Sequence, residues 1–338
     1  MQIFIVLHIV IFKPLFYSSI YLLSNYLTSP ACFRYNLLMK RMGREQKPIW
    51  KTIRKPVPPP TLIHRKKERR DTENNEMNIP SEKTKPIIAL LTDFGESSAY
   101  IGVMKGVILK INPKAEIVDL CHKVTPFKVE EAAYLLKASY TYFPPNTCYL
   151  FVVDPEVGSD RRGVAVFAHN HIFVGPDNGT LTYLLDEDYK AVTLDNPDYF
   201  LPKVSISFQG RDIFAPVAAQ ISRGISLEKF GEKVDDLIRL ENLFPKRKGN
   251  RIYGMIVHID NFGNIITNIS QKDISGKVSS ITIKGAKIEK MRRYYTESTE
   301  GSLIGMWQST GHLEIAKVLG NAANDISAKI GDSIEVEL

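Results

Sequence analysis

Apolar positions along this chain change texture twice, and the changes mark out its parts. From Pro86 a short continuous apolar run, residues 87–91, ends in Thr92-Asp93-Phe94-Gly95, the pattern of a buried strand feeding a tight loop. Residues 98–111 then take helical spacing, with Ile101, Met104, Val107, Ile108 and Ile111 on one face. Residues 116–120 predict a second strand, 128–140 a second helix rich in Glu and Ala, and 147–153 a third strand ending at Asp154-Pro155. Strand and helix alternating at this spacing predict parallel pairing through right-handed crossovers. Further strands are predicted at 163–168 and 171–175, then a turn at 175–179 and a helix from Arg211-Asp212 to about residue 223.

Residues 225–250 are polar and without period, the texture of a linker. Beyond Arg251 the pattern turns to short alternating runs at 252–260, 264–269, 278–284, 303–308 and 332–337. That is the signature of a smaller, mostly β domain closing as a barrel or sandwich. The expected fold class is therefore α/β. An N-terminal α/β domain with a mostly parallel central sheet (86–224) precedes a linker (225–250) and a C-terminal all-β, barrel-like domain (251–338).

Residues 1–85 read as a leader. Its first apolar run, 3–12, is only ten residues before Lys13-Pro14, short of the ~20 needed to span a bilayer. No positive charge precedes that run, as a signal peptide requires. Residues 44–85 are rich in Lys, Arg, Pro, Glu and Asn, a composition of disorder. Three readings stand: a start drawn too far upstream with Met77 the true one, a disordered extension with an interfacial apolar end, or a membrane anchor.

Charge sharpens the division. The chain carries a formal +7, yet residues 33–70 alone hold thirteen Lys/Arg against Glu45 and Glu68, and Lys13 adds one more. Residues 71–338 are thus net −5, which argues against a nucleic-acid binder. Cys32, Cys121 and Cys148 are odd in number and form no CxxC pair. A disulfide framework or zinc site is not expected, and reduced thiols in a cytosol fit.

Five clusters carry candidate chemistry. Asp93, at a strand end, has two acceptor oxygens suited to a ribose diol, or it caps the following helix. Asp154 and Arg161 flank a turn, either as a site pair or as a structural salt bridge. Phe208-Gln209-Gly210-Arg211-Asp212 starts a helix. Asp260-Asn261-Phe262-Gly263-Asn264 and Ser309-Thr310-Gly311-His312 are turns by default. No Gly-rich phosphate loop accompanies Asp93 or Asp154, so a dinucleotide or nucleoside triphosphate is not expected.

Taken in order, these clusters resemble one family, the S-adenosylmethionine hydroxide adenosyltransferases, relatives of the bacterial fluorinases and chlorinases. The resemblance runs from Ile87 to the C-terminus. Its marks are Leu91-Thr92-Asp93-Phe94-Gly95, Val118-Asp119-Leu120-Cys121-His122, Thr125-Pro126-Phe127 with Val129-Glu130-Glu131-Ala132, and Val152-Val153-Asp154-Pro155. Gly175-Pro176-Asp177-Asn178-Gly179, Gly210-Arg211-Asp212-Ile213-Phe214-Ala215-Pro216, Phe262-Gly263-Asn264, Leu313-Glu314-Ile315-Ala316 and Gly320-Asn321-Ala322-Ala323 complete them.

The resemblance implies displacement of methionine from the ribose C5′ of S-adenosylmethionine by water, in a homotrimer with active sites between subunits. It implies that Asp93 binds the ribose diol and that Phe127 packs beside the ligand. Asp260, Asn264 and Ser309 would come from the neighbouring subunit, the Asp and Ser holding the methionine end. Asp154 and Arg161 fall on two of the three positions around the attacking water. At the third, where the hydrolase pattern has His, this chain has Gln209, and Glu156 replaces a usual Gly. Halogenating relatives lack the acid matched by Asp154, whose charge would repel a halide. No metal or resident cofactor is expected, since the sulfonium is already a good leaving group and S-adenosylmethionine is the substrate.

Because every one of these motifs lies beyond residue 86, a chain beginning at Met77 is expected to fold, trimerise and bind S-adenosylmethionine as the full chain does. Calorimetry showing binding about tenfold weaker, a loss of some 1.4 kcal/mol, or insolubility of the shorter chain, would overturn this.

Overall fold

The computed structural model describes residues 85–289 and 291–338. The expectations for the leader, including Met77 and Cys32, lie outside the described residues.

The first half builds a seven-stranded sheet. Its strands are β1 (Ile87–Thr92), β2 (Glu116–Cys121), β3 (Cys148–Val152), β4 (Gly163–Ala168), β5 (His171–Pro176), β6 (Lys190–Thr193) and β7 (Lys233–Val234), in the order β2-β1-β3-β5-β4-β6-β7. Helix α1 (Tyr100–Ile111) links β1 to β2, and α2 (Val129–Ser139) leads towards β3. A π-helical turn, Gly210–Phe214, runs directly into α3 (Ala215–Ile221).

Strand β1 is buried on both faces, which is why its sequence is continuously apolar rather than alternating. Ile88 and Leu90 pack with Met104 and Ile108 of α1 and Val217 and Ala218 of α3. Ala89 and Leu91 point the other way, onto Ala132 and Leu136 of α2. The pairs β1–β2, β1–β3 and β3–β5 are parallel, as expected. Beyond them the sheet turns antiparallel, through β5–β4, β4–β6 and β6–β7, so it is mixed rather than mostly parallel. The reason is local: β4 and β5 are joined by only His169 and Asn170, both at positive φ (51° and 62°). Two successive left-handed residues make the tight turn of a hairpin, too short for any crossover.

The second half is a sheet of nine strands: β8 (Lys246–Lys248), β9 (Arg251–Ile259), β10 (Ile265–Ser270), β11 (Ser280–Ile283), β12 (Ala286–Ile288), β13 (Met291–Arg292), β14 (Leu303–Trp307), β15 (His312–Lys317) and β16 (Ser333–Glu337). They run β12-β11-β16-β9-β10-β15-β14-β13, with β8 added beside β9, and curl into a nearly closed barrel. The barrel interior is filled by Ile256, Ile265, Ile269, Ile281, Leu313 and Ile315 among others, with the short helix α4 (Ala322–Asp325) packed against it.

Residues 225–250 carry β7, an edge strand of the first sheet, and β8, paired to the second, with Leu227, Phe230, Leu237 and Leu243 buried. Polar residues outnumber these anchors and mask them in the sequence. The barrel meets the first half mainly at α2, where Ala133 and Tyr134 pack on Met255, Val257 and Ile266. Among the described residues, no helix is long and apolar enough to cross a membrane.

Gly175 on β5 lies hard against Phe151 of β3, near the strand ends that carry the site. A Cβ there would overlap the Phe151 carbonyl and lie 2.6 Å from its ring. Backbone cannot swing aside as a side chain can, so Gly175→Ala is expected to lose about 1–3 kcal/mol. Urea unfolding checks this; an unchanged midpoint would show that β3 and β5 are free to separate.

Candidate active site

Because β1 and β3 are adjacent and parallel, the residues just past their carboxyl ends lie side by side, the usual place for a ligand in such sheets. Those residues are Asp93 and Asp154. They line one cavity of about 240 Å³, together with Phe94, Pro126, Phe127, Phe208 and Gln209. Sequence-predicted residues from four separated segments, Asp93, Phe127, Asp154 and Gln209, therefore converge.

Asp154 is buried, and so is its partner. The side chains of Asp154 and Arg161 are only 4% and 5% exposed. Arg161 grips the carboxylate from its side: Nε donates to Oδ1 and Oδ2 at 3.1 and 3.0 Å, and Nη2 donates to Oδ2. The Glu156 N–H also donates to Asp154 Oδ1 (3.2 Å). The guanidinium lies 5.3 Å over the Phe214 ring, a further cation–π contact. Arg161 Nη2 also donates to Gln209 Oε1 at 2.5 Å. That donation occupies the amide oxygen and leaves the amide N–H₂ as the remaining polar group of Gln209. Unlike an imidazole, it has no basic nitrogen.

The frame around this group is tied by hydrogen bonds. Asn178 Nδ2 donates to the Val153 carbonyl at 2.8 Å, pinning the chain next to Asp154. Asp177 is held by Arg162 and takes the Ile238 N–H, so the Gly-Pro-Asp-Asn-Gly segment is scaffold. Asp212 is scaffold as well, gripped by Arg211 and accepting the Ser205 N–H. Gln209 immediately precedes the π-helical turn, in which the Ala215 N–H reaches back to the Gly210 carbonyl. Such turns displace one residue from the helical repeat and recur at functional sites.

Asp93 is held differently. Its Oδ2 accepts the Phe127 N–H at 2.9 Å. Phe127 sits at φ 66°, a conformation rare for a bulky residue, and is 67% exposed as a residue. Holding it there costs on the order of 1–3 kcal/mol. Desolvation pushes the Asp93 carboxyl above the ordinary aspartate range and the nearby Asp154 charge adds to that, against the lowering effect of the Phe127 N–H. Phe94, Tyr100 and Phe208 meet edge-on with centroids 5.1–6.0 Å apart, giving the cavity an aromatic wall. The sequence pattern gave Phe94 and Phe208 no role, although each sits beside a singled-out residue.

Asp260, Asn264 and Ser309 do not line this cavity. Asp260 closes the β9–β10 turn, accepting from the Phe262 N–H, the Asn264 N–H and Asn264 Nδ2, each at 2.9 Å. Gly263, at φ 81°, packs so closely on Asn321 that no Cβ fits. Phe262 is left 74% exposed as a residue. Ser309 lies exposed in the turn between β14 and β15.

A mixed α/β domain with paired acids at its strand ends, joined to a small barrel, defines a two-domain ligand-binding architecture, and comparison with known proteins specifies it. The family models described as SAM hydroxide adenosyltransferase N-terminal domain and C-terminal domain match residues 88–231 and 254–335. The chain belongs to the SAM hydroxide adenosyltransferase family. It is similar to a protein of Methanocaldococcus jannaschii named (R)-S-adenosyl-L-methionine hydrolase, 34% identical over 74% of this chain and 95% of that one. A Nocardia brasiliensis protein named fluorinase is 26% identical, over 75% and 97%. Among solved structures, an uncharacterized conserved protein from Thermotoga maritima matches with a TM-score of 0.68 and 36% identity, covering 74% of this chain and 100% of that one.

The raised Asp93 carboxyl makes a stability prediction. A carboxyl harder to ionise when folded than when unfolded opposes folding once the unfolded chain ionises. The penalty is absent below the ordinary value of 3.8 and grows as pH rises through and above it. Asp93→Asn keeps an oxygen for the Phe127 N–H and removes the charge. It is expected to melt above wild type at neutral pH without ligand, with the gap closing at strongly acid pH. A variant melting below wild type at neutral pH would overturn this.

Proposed function

We propose that this protein hydrolyses S-adenosylmethionine to adenosine and L-methionine. The observation that carries the reading is the buried Asp154–Arg161 pair, bonded to the half-buried Gln209 and opening on the same cavity as Asp93. Four relatives 31–34% identical to this chain bear the hydrolase name, which supports it, and the fluorinases are more distant.

In this reading Asp93 accepts the two ribose hydroxyls while Phe94, Phe127 and Phe208 enclose the nucleoside. A water lies in line with the C5′–S bond, oriented by Asp154 and Gln209. Its oxygen attacks C5′, the C5′–S electron pair goes to sulfur, and neutral methionine leaves. The water's proton passes toward the Asp154 carboxylate and on to solvent, while Arg161 holds that carboxylate in place. Gln209 contributes hydrogen bonding, not proton transfer.

The active unit in this reading is a homotrimer. A cavity of about 240 Å³ is smaller than the ~300–1,000 Å³ typical of sites that enclose a drug-sized ligand. The exposed Phe127 and Phe262 rings are suited to burial between copies. Asp260, Asn264 and Ser309 of a neighbouring copy would then close over the methionine end.

Incubation with S-adenosylmethionine followed by chromatography tests the activity. Adenosine and methionine in equal amounts are expected. Unchanged ligand bound to protein would instead mark a binding protein with little turnover, and halogenated adenosine a halide-using enzyme. Asp93→Ala is expected to raise KM by roughly 10- to 100-fold, the loss of a charged hydrogen-bonding partner. Asp154→Ala should lower kcat with little change in affinity, and Gln209→His should release adenosine faster than wild type. Equal affinity for Asp93→Ala and wild type in calorimetry would remove the ribose assignment.

A further inference from the structure

Glu131, in the first turn of α2, is a buried carboxylate that the reaction does not use; its side chain is 3% exposed. A carboxylate so far from water needs partners that hold its charge. Among the described residues it has two, and they belong to different parts of the fold. Oε2 accepts the backbone N–H of Thr125 at 2.7 Å. Oε1 takes Nδ1 of His258, on β9 of the barrel, at 2.6 Å. The His258 ring is stacked on Tyr134 of α2, whose hydroxyl donates to Gln308 of the barrel at 2.8 Å.

The Thr125 end of this link leads straight to the cavity. Pro126 and Phe127 line it, and the Phe127 N–H holds Asp93. Phe127 is at φ 66°, so the turn keeps this shape only while something outside it fixes the backbone. The Thr125 carbonyl takes the Lys128 N–H, and Glu131 holds the Thr125 N–H. An unbroken chain thus runs from His258 through Glu131, Thr125 and Phe127 to the Asp93 carboxylate.

We propose that Glu131 is a positioning residue for the ligand pocket, holding the Thr125–Phe127 turn against Asp93, and that His258 makes the barrel a support of that turn. This deepens the S-adenosylmethionine reading and rests on it for its kinetic consequence, though not for its structural one. Glu131 touches no reacting atom. Its loss frees the turn and so weakens ground-state binding, leaving the Asp154–Arg161–Gln209 group as it is.

Two readouts test this on the full chain. The first is amide hydrogen exchange at Thr125 and Phe127 without ligand, which is independent of any activity. The second is the separation of KM from kcat in adenosine release. Glu131→Ala is expected to exchange at least about tenfold faster at those two amides and to raise KM about tenfold, with kcat changed by less than about threefold. Glu131→Gln keeps an oxygen for the Thr125 N–H and should recover most of both losses. His258→Phe keeps the ring on Tyr134, removes the donor, and should show the Glu131→Ala effects in weaker form. Should Glu131→Ala fail to fold, the same comparison is made between His258→Phe and Glu131→Gln. Wild-type exchange at Thr125 and Phe127 in Glu131→Ala and His258→Phe would overturn the proposal, and so would a loss confined to kcat. A wild-type protein that releases no adenosine would instead sink the hydrolase reading, while the exchange comparison still decides the role of Glu131.

Discussion

The site depends on one buried ion pair. Removing Asp154 and Arg161 from water costs several kcal/mol per ion, a penalty that Coulomb attraction offsets only when geometry is good and the other lone pairs are filled. Here both carboxylate oxygens face the guanidinium, the Glu156 N–H donates to one of them, and a second use of Nη2 falls to Gln209. The pair therefore fixes two loops at once, the one leaving β3 and the one entering the π-helical turn. Asn178, bonded to the Val153 carbonyl, keeps the strand end from drifting.

That arrangement leaves Asp93 in an uncomfortable position. Parallel pairing of β1 with β3 puts it beside a second carboxylate, in a partly desolvated cavity where ionising is harder. Among the described residues no arginine or lysine is bonded to it; a backbone N–H from a strained phenylalanine is. Of the two acids, Asp154 is gripped by an arginine and Asp93 is held by the Phe127 backbone N–H.

Helix α2 joins the two halves of this design. One side packs Ala132 and Leu136 under the first sheet, the other lays Ala133 and Tyr134 on the barrel. Its first turn carries Glu131, so the element that docks the domains also touches the turn beside the pocket. The Glu-rich start that marks this helix in the sequence serves two ends: Glu130 and Glu131 suit a helix N-terminus electrostatically, while Glu131 is also drawn inward.

Much of this was legible in the chain itself. Runs such as 87–91 announce a strand covered on both faces, and the spacing of Ile101, Met104 and Ile108 announces a helix. Local periodicity and turn chemistry sufficed for those elements and for placing Asp93 and Asp154 at strand ends, because the forces that set them act over a few residues. Short strands such as β6 and the edge strand β7 escaped, since four or two residues give too little alternation to read. The antiparallel half of the sheet also escaped, although His169-Asn170 held its cause. What only the tertiary structure decided is which groups meet: Arg161 and Gln209 are 48 positions apart, and Glu131 and His258 are 127 apart. No periodicity spans such separations. Those contacts exist because burying apolar surface folds the sheet, helices and barrel together, and the buried charges then take whatever partners that packing leaves within reach.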